Sequence, residues 1–156
     1  LDNRGIDING RLDFSAWLGK PTWVKSLQLG YSVIDQTRKD EVKIYRSNYA
    51  LNYLKHKVVA QLQHKVYWDK LSFNWSFRWQ DRMGDYTDFS DKSQPNGILI
   101  AYPSFVLVDV KAQWTEKNFQ VYAEANNLLN RTYFDLGNIP QPGIWIKAGI
   151  KCNFKL

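Results

Sequence analysis

Apolar and polar residues alternate one by one over long stretches of this chain, and no other feature limits its folding options as much. In LSFNWSFRWQDR (71–82), Leu71, Phe73, Trp75, Phe77 and Trp79 fall on one side, and Ser72, Asn74, Ser76, Arg78, Gln80 and Arg82 on the other. A period of two is the signature of a β-strand with one apolar and one wet face. The same pattern runs through GIDINGRLDFSA (5–16), LQLGYSV (27–33), VVAQLQHKVYW (58–68), FVLVDVKAQW (105–114), FQVYAEAN (119–126) and WIKAGIKCNFKL (145–156). In 5–16 the apolar set is Ile6, Ile8, Leu12, Phe14 and Ala16. His64 interrupts the apolar set of 58–68 and shares its face unless a bulge near Lys57 resets the phase. This makes about seven strands of ~9–12 residues, where soluble strands commonly have ~5–6. No segment carries a helical period of comparable quality, so the expected class is all-β, an antiparallel meander.

The connections alternate strictly between short and long. The short ones are 18–22, the turn around Trp68-Asp69-Lys70, and 115–118; the long, polar ones are 34–47, 81–103 and 129–143. In a meander this sends every tight turn to one end and every long loop to the other. A soluble β-sandwich has no need for such sorting, whereas an outer-membrane barrel has short periplasmic turns and longer extracellular loops. Aromatic residues make up 15% of the chain and gather at both ends. Trp17, Trp23, Trp68 and Trp114 lie beside the short turns; Tyr45, Tyr49, Trp79, Tyr86, Tyr102, Tyr133 and Trp145 lie toward the long loops. Strand propensity alone enriches aromatics, but two bands around a middle of smaller apolar residues are the girdles of two membrane–water interfaces. The apolar face is therefore expected to meet lipid.

Composition narrows the alternatives. LDNRGIDING has no basic stretch followed by an apolar core, so no signal peptide is expected within the chain. The single cysteine excludes an internal disulfide framework. The net charge of +6 raises the possibility of a basic β-sheet that binds nucleic acid. Single-strand binders, however, set aromatic rings and cations in one groove, and the pleat puts Arg78 opposite Phe73, Trp75 and Phe77. The other alternative, a soluble β-sandwich binding or adhesion domain, would bury one face and keep the other wet.

The residues from Ser104 to Phe154 carry a more specific signal. The strand SFVLVDVK precedes a segment Asn126-Asn127-Leu128-Leu129-Asn130-Arg131-Thr132-Tyr133, then Pro140-Gln141-Pro142-Gly143 and a last alternating strand. These resemble the "LVDLK" strand, the "NNLFN..Y" segment and the "PxPG" loop of TonB-dependent outer-membrane receptors. GIDINGRLDF is similar to the family's "GIELEG" strand, and Lys55-His56-Lys57 stands where its "PRHR" strand has a basic run. The resemblance covers nearly the whole chain. It implies the C-terminal third of a large barrel of the twenty-two-strand transporter type, with a plugged lumen. Signal peptide, plug domain and TonB box would then lie outside these residues. Family chains usually end on an aromatic residue read by the barrel-assembly machinery; here Phe154 stands just before the end, on the face of Leu156.

What the resemblance implies is a non-enzymatic receptor of the Gram-negative outer membrane, energised by TonB, for uptake of a scarce small molecule. GNIPQPGIWIKAGI resembles receptors of Bacteroidetes, some similar to cobalamin transporters and others to siderophore transporters, so a corrinoid or an iron chelate is the expected ligand. The residues themselves show no catalytic constellation. His56 and His64 lack partners at metal-ligand spacing, no serine lies in a G-x-S-x-G setting, and Asp85, Asp88 and Asp91 lack the glycine and glutamate of a calcium loop. His56 reads as a polar residue near the outer rim and Cys152 as a small apolar-face residue. Neither a metal nor a cofactor is expected. Loops at a barrel mouth carry recognition, which makes Arg38, Lys43, Tyr45, Tyr86, Asp88, Tyr102 and Tyr133 the candidate ligand-binding residues.

Overall fold

Period-two segments joined by tight turns pair with their neighbours in sequence, and a computed structural model, which describes residues 2–37, 54–66, 70–136 and 139–153, shows this sheet. The elements are β1 (Asp2–Asp13), α1 (Phe14–Leu18), β2 (Val24–Thr37), β3 (Leu54–Val66), β4 (Leu71–Arg82), β5 (Asp85–Asp88), β6 (Ile98–Ala101), β7 (Phe105–Thr115), β8 (Phe119–Asn126), β9 (Phe134–Leu136), β10 (Ile139–Pro140) and β11 (Trp145–Cys152). Seven strands form one antiparallel sheet in the order β1-β2-β3-β4-β7-β8-β11. The sheet stays open, with β1 and β11 at its edges.

The register carries the alternation of each strand into faces that cross the whole sheet. One row runs Leu12, Leu27, Leu62, Trp75, Val110, Ala125, Ile146; the next runs Asp13, Ser26, Gln63, Asn74, Lys111, Glu124, Lys147. Because a slip of one residue would exchange the faces, the agreement of six ladders on one assignment is the strongest test of the pattern. Among the described residues, only Tyr102 and Leu107 are buried apolar side chains. Ile8, Ile146 and Ile150 are 63%, 72% and 70% exposed. Among the described residues nothing packs on the apolar face, which argues against the sandwich. Arg78 pairs with Val59 and Leu107 on the polar face, away from Phe73, Trp75 and Phe77, so the nucleic-acid platform is split as well.

On β4 the outward apolar set runs from Leu71 to Trp79 and stops at Asp81. Its length is about 27 Å along the strand at ~3.4 Å per residue, or about 21 Å along the normal at a ~40° tilt, close to the ~25 Å apolar band of membrane barrels. At the long-loop end of this face, His56 lies between Tyr31 and Trp79, with ring centroids at 6.1 and 6.4 Å, and shares a hydrogen bond of 2.8 Å between Tyr31 Oη and its Nδ1. Of these rings, Trp79 belongs to the aromatic band expected at this end.

Two expectations need correction, and a third, the strict phase of His64, holds. Phe14 and Ala16 do not continue the first strand: the Asp13 carboxylate accepts a hydrogen bond of 3.0 Å from Ala16 N and caps α1, which ends at Gly19 in the left-handed region. The ladder irregularity in β3 falls between Leu54 and His56, ahead of Lys57, and the register is continuous from there to Val66. The phase of His64 is therefore not reset, and its ring stacks on Phe73 on the apolar face at 5.1 Å. The long connections are also not plain loops, since β5 pairs with β6 and β9 with β10. Trp68, Tyr45, Tyr49, Phe154 and Leu156 lie outside the described residues.

At the short-turn end, Lys70 Nζ meets Glu116 Oε2 at 2.7 Å across two successive turns, and this ammonium holds the Glu116 carboxyl below its ordinary range. On the polar face, Tyr122 lies over Gly149, where a Cβ would come within 2.7 Å of the Tyr122 hydroxyl oxygen. The ring also takes the Lys111 ammonium at 4.8 Å from its centroid. An aromatic ring covering a strand glycine repairs the packing that glycine lacks. Gly149→Val should displace the ring and lower the unfolding free energy read from a urea titration by ~1–3 kcal/mol, as overpacking does; Gly149→Val with Tyr122→Ala should recover part of that loss.

Candidate functional site at the long-loop rim

The described parts of two long connections, from β4 to β7 and from β8 to β11, lie at one end of the sheet, and aromatic side chains of the two meet there. Tyr86, on β5, stacks on Phe134 with centroids at 4.5 Å and tilts against Tyr102 at 5.5 Å. Tyr133 tilts against Phe105 at 4.7 Å. Consecutive residues of an extended chain point to opposite sides, which lets the doublet Tyr133-Phe134 reach both rings. The Arg82 guanidinium carbon lies 5.6 Å from the Tyr102 ring centroid, a cation–π distance. Tyr102 is 7% exposed, so it is part of the small core of this rim.

Of the candidate residues, Tyr86 and Tyr102 are in ring contact, while Tyr133 pairs with Phe105 and lines the rim cavity with Tyr102. Asp88 does not join them: its carboxylate accepts from Ser90 N at 2.9 Å and Ser90 Oγ at 2.8 Å, closing a local turn. Arg38, Lys43 and Tyr45 lie outside the described residues. Phe105, Phe134, Arg82 and Arg131 belong to the rim and were not among the candidates. The adjacency of Phe134 to Tyr133 was the one sequence signal that could have found any of them.

The segment Asn126–Gly143 is a clasp. Asn126 stays in the ladder opposite Trp145. Asn127 then turns left-handed (φ 52°) and is 3% exposed. Its backbone N–H donates to Asp109 Oδ1 at 2.7 Å. Its side-chain Oδ1 accepts from Arg131 N at 2.9 Å, while Nδ2 donates to the carbonyls of Arg131 and Pro142 at 2.8 and 3.2 Å. Leu128 N donates to Val108 O at 2.8 Å. Asn130 is also left-handed (φ 48°), and its Oδ1 accepts from Ile144 N at 3.0 Å. Gly143 passes so close to that oxygen that a Cβ would collide with it. Pro140 lies on β10, opposite Phe134. These motif residues hold the loop that presents Arg131 and Tyr133.

Two cavities flank this arrangement. One, of about 310 Å³, lies at the rim between the β4 and β7 ends and residues 131–134. The other, of about 340 Å³, is a groove along the polar face, lined by Arg11, Gln61, Asn74, Lys111 and Glu124 among others. There Lys147 Nζ meets Glu124 Oε1 at 2.8 Å. Among the described residues no three His, Cys, Asp or Glu side chains converge on a point that could hold a metal. Stacking, cation–π contact and charge-assisted hydrogen bonding are what the rim offers a ligand.

A family model described as "TonB dependent receptor-like, beta-barrel" matches residues 2–128. No curated protein matches the chain.

Proposed function

Because this chain belongs to the TonB-dependent receptor β-barrel family, a family of Gram-negative outer-membrane receptors and transporters, we propose that it forms the C-terminal wall of one such barrel and captures a scarce nutrient at its long-loop rim. The supporting observation is the placement of the two long connections within the described residues at one end of the sheet, where the Tyr86–Phe134 stack joins them beside the Phe105–Tyr133 pair. A wall with only a structural task has no use for such a surface. The ligand is a corrinoid or an iron chelate, a reading that rests on the resemblance of residues 137–150 to Bacteroidetes receptors. Lipid covers the apolar face. The rest of the barrel pairs with the open edges of β1 and β11, the plug fills the lumen beside the polar groove, TonB drives release, and the barrel-assembly machinery inserts the whole. Tyr86, Tyr102 and Tyr133 are the residues assigned to capture in the described part, with Arg38, Lys43, Tyr45 and Asp88 as further loop candidates.

Shortening 84–100 in the full-length receptor tests this reading. The cut removes Tyr86 from its stack on Phe134 but leaves β4 and β7 paired from Leu71–Trp114 to Gln80–Phe105. Surface binding of cobalamin or ferric siderophore should fall by about tenfold or more, a change of ~1.4 kcal/mol or greater. Heat-modifiable mobility on gels should stay normal, because loop length is a weak determinant of stability. Normal binding together with normal assembly would exclude the rim as the receptor site.

A further inference from the structure

The rim cavity has a composition that points to one kind of chemical group. The residues that line it include Tyr102, Phe105, Tyr133 and Phe134, with Trp79 at the end of β4, and the rings of Phe105 and Tyr133 lie against each other at 4.7 Å. Among the described residues that line it, Arg131 is the only charged one, and no ion pair among them involves its guanidinium. The backbone beneath that guanidinium is fixed, since both the N–H and the carbonyl of Arg131 are bonded to the Asn127 side chain at 2.9 and 2.8 Å. A flat aromatic wall favours a planar ring in offset or edge contact. A guanidinium on a fixed backbone favours a carboxylate or similar oxyanion, which it binds through paired N–H donors. At about 310 Å³ the cavity stands at the lower bound of ligand pockets, ~300–1,000 Å³, so it accommodates one ring-sized group rather than a whole macrocycle.

We infer that this cavity is a subsite for a planar, anionic aromatic group, with the ring held among Phe105, Tyr133 and Tyr102 and the oxyanion on Arg131. The inference rests on the receptor reading above and sharpens it. A ligand that carries an aryl carboxylate or a comparable aryl oxyanion would place that part here, while the remainder of the molecule lies over the polar groove or the other loops.

The test uses the full-length receptor in lipid nanodiscs, with para-trifluoromethylbenzoate as the probe and fluorine NMR as the readout. The neutral control is para-trifluoromethylbenzyl alcohol, and empty nanodiscs supply the background. Saturable binding of the benzoate is expected, with the alcohol binding more weakly. Arg131→Gln should weaken the benzoate by about tenfold, the usual scale of a lost charge-assisted pair, and leave the alcohol unchanged. Arg131→Lys, which keeps the charge but loses the fork, should fall between. Tyr133→Leu should weaken both probes. Arg131→Gln leaves the backbone bonds to Asn127 in place, and heat-modifiable mobility verifies folding on the same samples. Absence of saturable benzoate binding, or equal binding to wild type and Arg131→Gln, overturns the inference. If either occurs while shortening 84–100 still abolishes surface capture, the receptor reading stands and only the subsite falls.

Discussion

Val110→Arg should disrupt barrel assembly, at a cost of ~2–4 kcal/mol for a cation placed toward the bilayer midplane, whereas Gln113→Arg on the same strand should change stability by no more than ~0.5 kcal/mol. Val110 lies in the apolar row between Trp75 and Ala125, with Leu62 and Ile146 beyond them. Gln113 lies between Ser72 and Tyr122 on the polar face. Both substitutions add the same charge and nearly the same volume to the same strand, so net charge and size cancel in the comparison, and the loss of a β-branched residue at Val110 is within the ~1 kcal/mol span of strand propensity. What remains is the medium that each side chain enters. A guanidinium at Val110 has no anion beside it and must carry its hydration into hydrocarbon or distort the sheet to escape it. At Gln113 the same group reaches water and the hydroxyls of the polar face. Urea titration of folding into lipid bilayers gives the two numbers, and heat-modifiable mobility reports assembly in cells. Equal losses at the two positions would reject the two-face assignment and with it the lipid-facing sheet.

The contrast between what was legible in the letters and what was not follows the range of the interactions involved. Which way Trp75 or Val110 points is decided by its neighbours one residue away, so a period of two reads correctly on β4 and β7. The end of β1 departs from the pattern for the same reason. Phe14 and Ala16 keep the apolar parity, but the Asp13 cap and the left-handed Gly19 act locally to wind the chain, and neither disturbs the alternation. His64 kept its apolar phase because the irregularity of β3 occurs at Leu54/His56, a place set by pairing with β4 and not by β3 itself. At the rim, Tyr86, Tyr102 and Tyr133 were legible as aromatic residues in long loops. Their partners Phe105 and Phe134 were not, since the Tyr86–Phe134 stack joins residues far apart in the chain and depends on both small hairpins. The motif Asn126–Asn130 was recognisable by resemblance alone. Only the left-handed backbone and the bonds of Asn127 explain why an asparagine serves there.

Asn127→Ala should open the loop 128–143 while leaving the sheet folded. The side chain makes three hydrogen bonds in a site where it is 3% exposed: one from Arg131 N and two to the carbonyls of Arg131 and Pro142. Alanine deletes all three and leaves their partners to find water or remain unpaired, at ~1 kcal/mol or more for each bond. It also places a Cβ residue without asparagine's local compensation at φ 52°, which costs roughly a further 1 kcal/mol. The sum of about 3–4 kcal/mol exceeds what a surface loop can absorb, so the segment should become sensitive to protease between Leu128 and Gly143. The ladders of β7 with β8 and of β8 with β11 involve no Asn127 side-chain atom, and the heat-modifiable barrel should persist. Asn127→Gly separates the two contributions. Glycine accepts the left-handed backbone freely but makes none of the bonds, so it should relieve the conformational part and still leave most of the loss. Full protection of the loop in Asn127→Gly would mean that backbone geometry alone holds the clasp. In the expected case, Arg131 and Tyr133 lose their fixed positions together, and benzoate binding at the rim fails in a barrel that still assembles.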